Sequence, residues 1–300
     1  MYERGEGVKA DSRKSFSLYK RAALLGDAQA QCNLGVLYLE GVGTNMNAHQ
    51  QITVDQFTRQ ALPFSKSPGH TNEESLLLLI EMAQLSSEDT ALDVACGTGM
   101  VACAFATVAS HVTGIDITPA MLEQARLLAQ RCGLTNLSWR QGDIETLPFP
   151  DSEFSVVVSR YAFHHFLNPD VVMTEMARVC RTGGRILIAD GCPPPEKVDA
   201  YNHFEKLFDP SHHRALTSEE FLSLIRGAGL RAARMADYRM EMEMERQLAA
   251  SFPDPGDDEK LRRLLREDIG VDRIGVGAHW RGDEIHYAYP VTVIVAEKAV

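Results

Sequence analysis

The chain has 300 residues, 45% hydrophobic and 24% charged, with a formal net charge of -11. Those proportions fit one large globular domain, or one domain with an appendage. The acid excess excludes a nucleic-acid backbone as the main partner, because phosphate binding needs a basic face, and points to small-molecule or protein substrates. The six cysteines (Cys32, Cys96, Cys103, Cys132, Cys180 and Cys192) form neither C-x-x-C pairs nor zinc-like spacing with histidine, so buried thiols in a reducing compartment and no metal are expected. The first residues lack a signal-peptide pattern, and the longest aliphatic run, residues 76–80, is too short to span a bilayer. A cytoplasmic protein without a membrane span is expected.

In residues 1–45, Tyr2-Glu-Arg-Gly5-Glu-Gly7 returns as Tyr38-Leu-Glu-Gly41-Val-Gly43 at an offset of 36, around helical patterns at 12–25 and 28–39. With Tyr19-Lys-Arg-Ala-Ala23 and Gly26-Asp-Ala-Gln-Ala30, this stretch resembles a Sel1-like repeat, a relative of the tetratricopeptide repeat. Such units need about three stacked copies to bury a core. Residues 1–45 are therefore expected to be a remnant docked on, or dangling from, the rest; a protein-partner module is the alternative.

Residues 45–51 read as a polar linker, 52–62 as a helix, and Pro63 to His70 as its breaker. Asn72 is placed to cap a helix over 73–85. The central stretch follows, Ala91-Leu-Asp93-Val-Ala95-Cys-Gly97-Thr-Gly99-Met100: an apolar strand, a glycine turn and a helix start. Strand, tight turn and helix N-terminus in that order build a nucleotide cradle. Gly97-x-Gly99-x-x-Ala102, with Asp116 19 residues past Gly97, also satisfies the NAD(P) pattern. Acid placement separates the readings. Asp93, four residues before Gly97, would repel a pyrophosphate, whereas S-adenosylmethionine (SAM) carries an ammonium and a sulfonium and no phosphate.

The second strand, 111–116, ends on Asp116, suited to ribose hydroxyls, with Ile117 beside it to cover adenine. Thr118 and Pro119 open a helix whose Met121 lies in the first turn, and a third strand leads to Asp143 and Ile144 beside the adenine amino group. A fourth strand, 154–159, a helix over 169–180 and a fifth strand, 185–190, complete a regular alternation that implies parallel strands. Beyond it lie helices at 198–208 and from 217 to Gly227, a strand within 231–244, an inserted helix at 257–266, a hairpin turning at Gly282-Asp283, and a last strand at 290–296.

The motif Asp93-Val-Ala-Cys-Gly-Thr-Gly99, the tip Gly114-Ile-Asp-Ile-Thr-Pro-Ala-Met121, the turn Gly142-Asp143-Ile144 and the run Arg178-Val-Cys-Arg-Thr-Gly-Gly-Arg-Ile-Leu-Ile188 resemble the class I SAM-dependent methyltransferases, most closely their ubiquinone/menaquinone-methyltransferase-like branch. Ala95 departs from the first glycine often present in that family. The resemblance implies an α/β, Rossmann-like, seven-stranded sheet, parallel with an antiparallel last strand. It divides the chain into the repeat-like residues 1–45, lid helices 46–90, a SAM-binding core 91–195 and a substrate-covering part 196–300. SAM is the implied cofactor, S-adenosylhomocysteine (SAH) its product, and the expected cofactor residues are Asp93, Ala95, Gly97, Gly99, Asp116, Ile117, Met121, Asp143, Ile144 and Ser159, with Phe57 and Arg59 from the lid.

Methyl transfer from a sulfonium depends on holding the nucleophile in line, aided by a base. His164 and His165 follow the fourth strand at the ligand end of the sheet, and His212, His213 and Arg214 lie in the part expected to cover the substrate. His164 and His213 are the candidate catalytic residues, since an unperturbed imidazole titrates near ~6.5. The expected activity is methyl transfer to O or C of a small, partly apolar molecule. An NAD(P)-dependent oxidoreductase and a SAM-sensing adaptor without turnover are the alternatives.

Overall fold

The computed structural model describes residues 46–66 and 73–299. The readings made for residues 1–45, including Cys32, and for the Asn72 cap lie outside the described residues. The chain divides into two compact units, Met1–Gln51 and Ile52–Val300. Of the first, only residues 46–51 are described. They are not a linker: α1 runs over Ala48–Phe64, started by a reciprocal pair in which Asn47 N donates to Gln50 Oε1 and Gln50 N to Asn47 Oδ1. This is a capping box built from amides, which satisfies two otherwise orphaned N–H groups. The helix also runs one residue past Pro63 instead of stopping before it.

Helix α2 (Glu73–Ala83) precedes β1 (Thr90–Val94), α3 (Met100–Ala106), β2 (His111–Asp116), α4 (Pro119–Arg131), β3 (Leu137–Gln141), β4 (Phe154–Arg160), α5 (Pro169–Val179) and β5 (Cys180–Gly191). The remainder is α6 (Val198–Phe208), α7 (Ser218–Gly227), β6 (Leu230–Glu243), α8 (Met244–Ser251), α9 (Asp257–Asp268), β7 (His279–Arg281) and β8 (Glu284–Lys298). The sheet order is β3-β2-β1-β4-β5-β8-β6, with β7 added beside β8. Strands β1 to β5 pair in parallel, and β8 is antiparallel to both β5 and β6. The expected seven-stranded arrangement is present, and the Gly282-Asp283 hairpin contributes β7 as an eighth, short strand.

Burial explains the layering. Every residue of β4 is buried, as expected of a central parallel strand covered on both faces, whereas the edge strand β3 alternates half-buried with exposed. One face of the sheet packs Val156, Val158, Leu187 and Val293 against Leu79 and Phe105; the other packs Val157, Ile186 and Ile188 against Met173, Met176 and Phe221. A third apolar cluster forms where β8 runs past β5: the last β5 pair is Gly191 with Val291, while Glu243 of β6 still pairs His286. On this overhang Tyr287 and Tyr289 meet Phe204 and Phe208 of α6, backed by Leu261 and Leu265 of α9. The inserted helix therefore backs a wall instead of forming a lining. Helix α8, absent from the sequence reading, lies between the β6 end and the polar stretch.

Ala95 has φ 56°, between β1 and the glycine turn. The left-handed region costs a residue with a Cβ roughly 1–2 kcal/mol, a strain that the glycine often present there in the family this motif resembles would avoid. Ala95→Gly is expected to stabilise the protein by about 0.5–1 kcal/mol after glycine's extra chain entropy is deducted. A chemical-denaturation midpoint that falls instead would contradict this. Among the described cysteines all are free, and Cys132 is exposed where a buried thiol was expected. Among the described residues no helix is long and apolar enough to cross a membrane.

Candidate active site

The carboxyl ends of β1, β2 and β3 bring the three acids together. Asp93 is buried within β1, and its Oδ2 accepts from Ala102 N of α3 at 3.0 Å. Asp116 Oδ2 accepts from Gly97 N at 2.8 Å, and Oδ1 from Thr118 N at 2.8 Å. The Thr118 side chain makes no capping hydrogen bond to α4, and Asp116 holds the N–H of Thr118 just ahead of the helix. Asp143 lies two residues past β3, its Oδ1 accepting from Glu145 N in a local turn, while Gly142 N donates to the Asp116 carbonyl. Gly97 and Gly99 take φ 50° and 80°; a Cβ added at Gly97 would meet nothing within 4 Å, whereas one at Gly99 would come within 2.8 Å of Ala125 and Trp139, so the turn is open at Gly97 and packed against the fold at Gly99.

Electrostatics single out this corner. Burial, together with the neighbouring Asp116 charge, pushes Asp93 up to about 8, and burial also raises Asp116. Two acids so placed are ionised together only at a cost, which a cation in the turn would remove. The linkage sign follows from Asp93's ordinary value of 3.8. Between about 4 and 8 the folded chain holds a proton that the unfolded chain has lost, so this residue makes stability fall as pH rises through that window. Asp93→Asn is therefore expected to raise the thermal midpoint of the ligand-free protein by at least about 3 °C at pH 8. The gain should vanish near pH 4; a gain independent of pH would show that the acid is not the cause.

The other expected cofactor residues sit as follows. Ile117 is half-buried at the β2 tip, Met121 is buried in α4, and Ile144 packs on the sheet cluster. Ser159 is buried at the end of β4, and its Oγ has no hydrogen-bond partner. Phe57 stands edge-on to His165, with ring centroids 4.9 Å apart. Arg59 is exposed on α1 and donates to Gln56, away from the acids. Helix α1 is instead held by its glutamines: Gln56 and Gln60, both fully buried, donate to the Ser251 carbonyl, the latter at 2.9 Å.

Beyond β4 and β5 lies a narrow, partly open cavity with about 80 Å³ of room for water-sized molecules. Its histidines are His164, His165 and His212. His213 is exposed and is not part of the wall. Its backbone N donates to the His164 carbonyl, as does that of Arg214, which turns the His212 ring inward and the His213 ring out. Arg160, at the end of β4, is buried and donates to Ser75 and Tyr161.

His164 Nδ1 lies 2.5 Å from Asp190 Oδ1 at the end of β5. Asp190 also accepts from Ala162 N, Phe163 N and Gly191 N at 3.1, 2.7 and 2.7 Å, so three amides fix the carboxylate that fixes the imidazole. Burial alone would lower His164, but the Asp190 charge and hydrogen bond raise it above its ordinary 6.5. Burial and the neighbouring His164 push His165 down to about 4, and burial lowers His212 strongly. One histidine in three is thus disposed to carry a proton. Glu205 of α6 is pushed up to about 7 by burial.

Asp190 and Glu205 were not among the residues singled out from sequence. Asp190 ends an apolar strand just as Asp93 and Asp116 do, so the same criterion selects it. Glu205 stands in the apolar stripe formed by Tyr201, Phe204 and Phe208, where a carboxylate is out of place unless it faces a ligand or partner.

A methyltransferase-domain family model matches residues 92–188, and a Sel1-repeat model matches residues 1–27 and 28–48. The Bacillus subtilis protein described as uncharacterized methyltransferase YcgJ is 35% identical over 170 residues, 56% of this chain and 67% of that protein. The ubiquinone/menaquinone biosynthesis C-methyltransferase UbiE of Pseudomonas putida is 29% identical over 201 residues, 65% of this chain and 70% of its own length. The crystal structure of YcgJ superposes with a TM-score of 0.71 at 27% identity, covering 76% of this chain and all of that one. A putative methyltransferase from Bacillus halodurans gives a TM-score of 0.70 with the same coverage. The glycine turn that also fitted a dinucleotide thus belongs to a methyltransferase core, and this chain is a member of the class I SAM-dependent methyltransferase family.

Proposed function

We propose that the protein transfers a methyl group from SAM to O or C of a small, partly apolar molecule held in the cavity beyond β4 and β5. The observation that carries this reading is the pair of buried acids, Asp93 and Asp116, on either side of a glycine turn open at Gly97. Their mutual repulsion in a low-dielectric site suits a cationic sulfur nucleoside and disfavours a pyrophosphate. Asp116 holds the turn through Gly97 N and has lone pairs left for ribose hydroxyls. Asp143 and Ile144 border the adenine, with Ile117 and Met121 beside them, and the Ser159 hydroxyl faces the methionine portion. Ala95, Gly97 and Gly99 bring the backbone close beneath it. Phe57 covers the site from α1, which serves as the lid, while α2 packs on the sheet through Leu79. Bound there, SAM supplies a methyl group activated by a positively charged sulfur.

His164 acts as the base. With Nδ1–H directed to Asp190, its Nε2 takes the proton released by the acceptor as the new bond forms. The aromatic wall and α1 keep bulk water from the reacting atoms. The same arrangement favours an enzyme over an adaptor that senses SAM without turnover. Residues 1–45 are read as an appendage, with protein contact as their only assigned use. The first test is calorimetric titration with SAM and SAH. Binding of both at micromolar concentration is expected, weakened by Asp93→Asn. Absence of binding by either at high micromolar concentration would overturn the reading.

A further inference from the structure

The cavity wall is acidic beyond what its own cations neutralise. Asp190 is matched by His164. Lys206 does not line the cavity, and its ammonium donates to the carbonyls of Pro210 and His212 at 2.6 and 2.7 Å. Asp209 accepts from Ser211 N and Oγ and from Gln60, all uncharged donors. Glu205 receives a hydrogen bond from Tyr289, but its Oε1 is buried without a partner. Glu205 and Asp209 therefore share, in a space walled by aromatic rings, one nearby cation, His164, which Asp190 already holds.

The unpaired atoms tell the same story. Three side chains of this wall have a buried polar atom with no hydrogen-bond partner: Glu205 Oε1, His212 Nδ1 and Gln247 Oε1. His212 Nε2 lies 2.7 Å from Asn202 Oδ1, an oxygen that also accepts from Ala215 N. That nitrogen consequently carries the hydrogen, and Nδ1 is a bare lone pair. All three orphans are acceptors. A buried acceptor left unsatisfied is destabilising, so the wall suits a guest that supplies donors. Phe57, Phe208, Tyr201 and Tyr289 present ring surface around the same space. Aromatic faces attract cations and not anions.

We propose that the methyl acceptor carries a protonated amine, anchored by Glu205 and enclosed by the aromatic wall, with His212 Nδ1 and Gln247 Oε1 taking its remaining donors. This rests on the reading of the cavity as the acceptor site and deepens it. The anchored ammonium keeps its proton and does not receive the methyl group; it fixes the rest of the molecule so that another O–H or C–H lies near His164. A neutral hydroxyl would satisfy the bare acceptors but leave the carboxylates short of positive charge, and an anion would be repelled.

The test uses the full chain saturated with SAH, titrated with three probes of one framework: tyramine, its neutral alcohol analogue tyrosol, and 4-hydroxyphenylacetate. Tyramine is expected to bind at least tenfold more tightly than tyrosol, and the carboxylate probe not at all. Glu205→Gln, which is isosteric and removes a buried charge, should bring tyramine to the tyrosol level while SAH affinity stays within twofold, which also shows that the variant is folded. Tyrosol or the acid binding as tightly as tyramine, a preference that survives Glu205→Gln, or no tyramine binding at tens of millimolar would each overturn the proposal. A tenfold loss of SAH affinity in Glu205→Gln would assign the carboxylate to the cofactor and overturn it as well. Failure of the wild-type chain to bind SAH would instead sink the methyltransferase reading itself.

Discussion

Asp116→Ala is expected to lower SAH affinity more than tenfold, approaching about a hundredfold. The carboxylate accepts from Gly97 N and Thr118 N, each at 2.8 Å, so it shapes both the turn and the start of α4 before any ligand arrives. Hydrogen bonds to a charged group contribute about 1.5–3 kcal/mol each, and the proposed ribose contact would go along with the geometry of the turn. Asp116→Asn keeps the shape and one acceptor oxygen, and should fall between wild type and alanine. Calorimetry on the three proteins, with circular dichroism as a control for folding, decides it. Unchanged affinity in Asp116→Ala would show that the acid serves only the fold.

His164→Gln is expected to reduce turnover by roughly 10²- to 10⁴-fold, the usual worth of a general base, while SAH affinity stays within twofold. Turnover is read as SAH formation from a metabolite extract. The pH dependence carries the sign. A base works in its neutral form, and Asp190 raises His164 above 6.5, so the rate should climb with pH through a limb centred above that value. Asp190→Asn removes the carboxylate that favours the imidazolium, and the limb should move to lower pH with a reduced plateau. Glu205, pushed up to about 7, titrates in the same range. In Glu205→Gln the limb should persist but move to lower pH, because the Glu205 charge also raises His164. His165 and His212, both shifted down, do not enter this window. A limb that ignores Asp190→Asn would remove His164 from the role of base.

The elements legible in the sequence are those set by local rules. An apolar run ending in an acid before a glycine turn has few other uses, and β1, β2 and β4 fall within a residue or so of where the pattern places them. Thr217 and Glu220 form the capping box that starts α7. What escaped the sequence depends on partners far along the chain. The first turn of α1 is polar and looks like a linker, yet two glutamines of the same helix are buried because the Ser251 carbonyl waits for them about 190 residues away. Asp190 gains its meaning from His164, and Glu205 from the overhang of β8, neither of which any local periodicity announces. The choice between His212 and His213 turned on the backbone bonds from residues 213 and 214 to the His164 carbonyl. Only the folded loop supplies that information.

The most direct measurement is a crystal structure of this chain with SAH. Ribose hydroxyls are expected on Asp116, the adenine beside Asp143 and Ile144, the amino acid portion near Asp93, and a sulfur that opens toward His164 and the Glu205 cavity. A nucleoside bound elsewhere, or any one of the three acids turned away from it, would contradict the account.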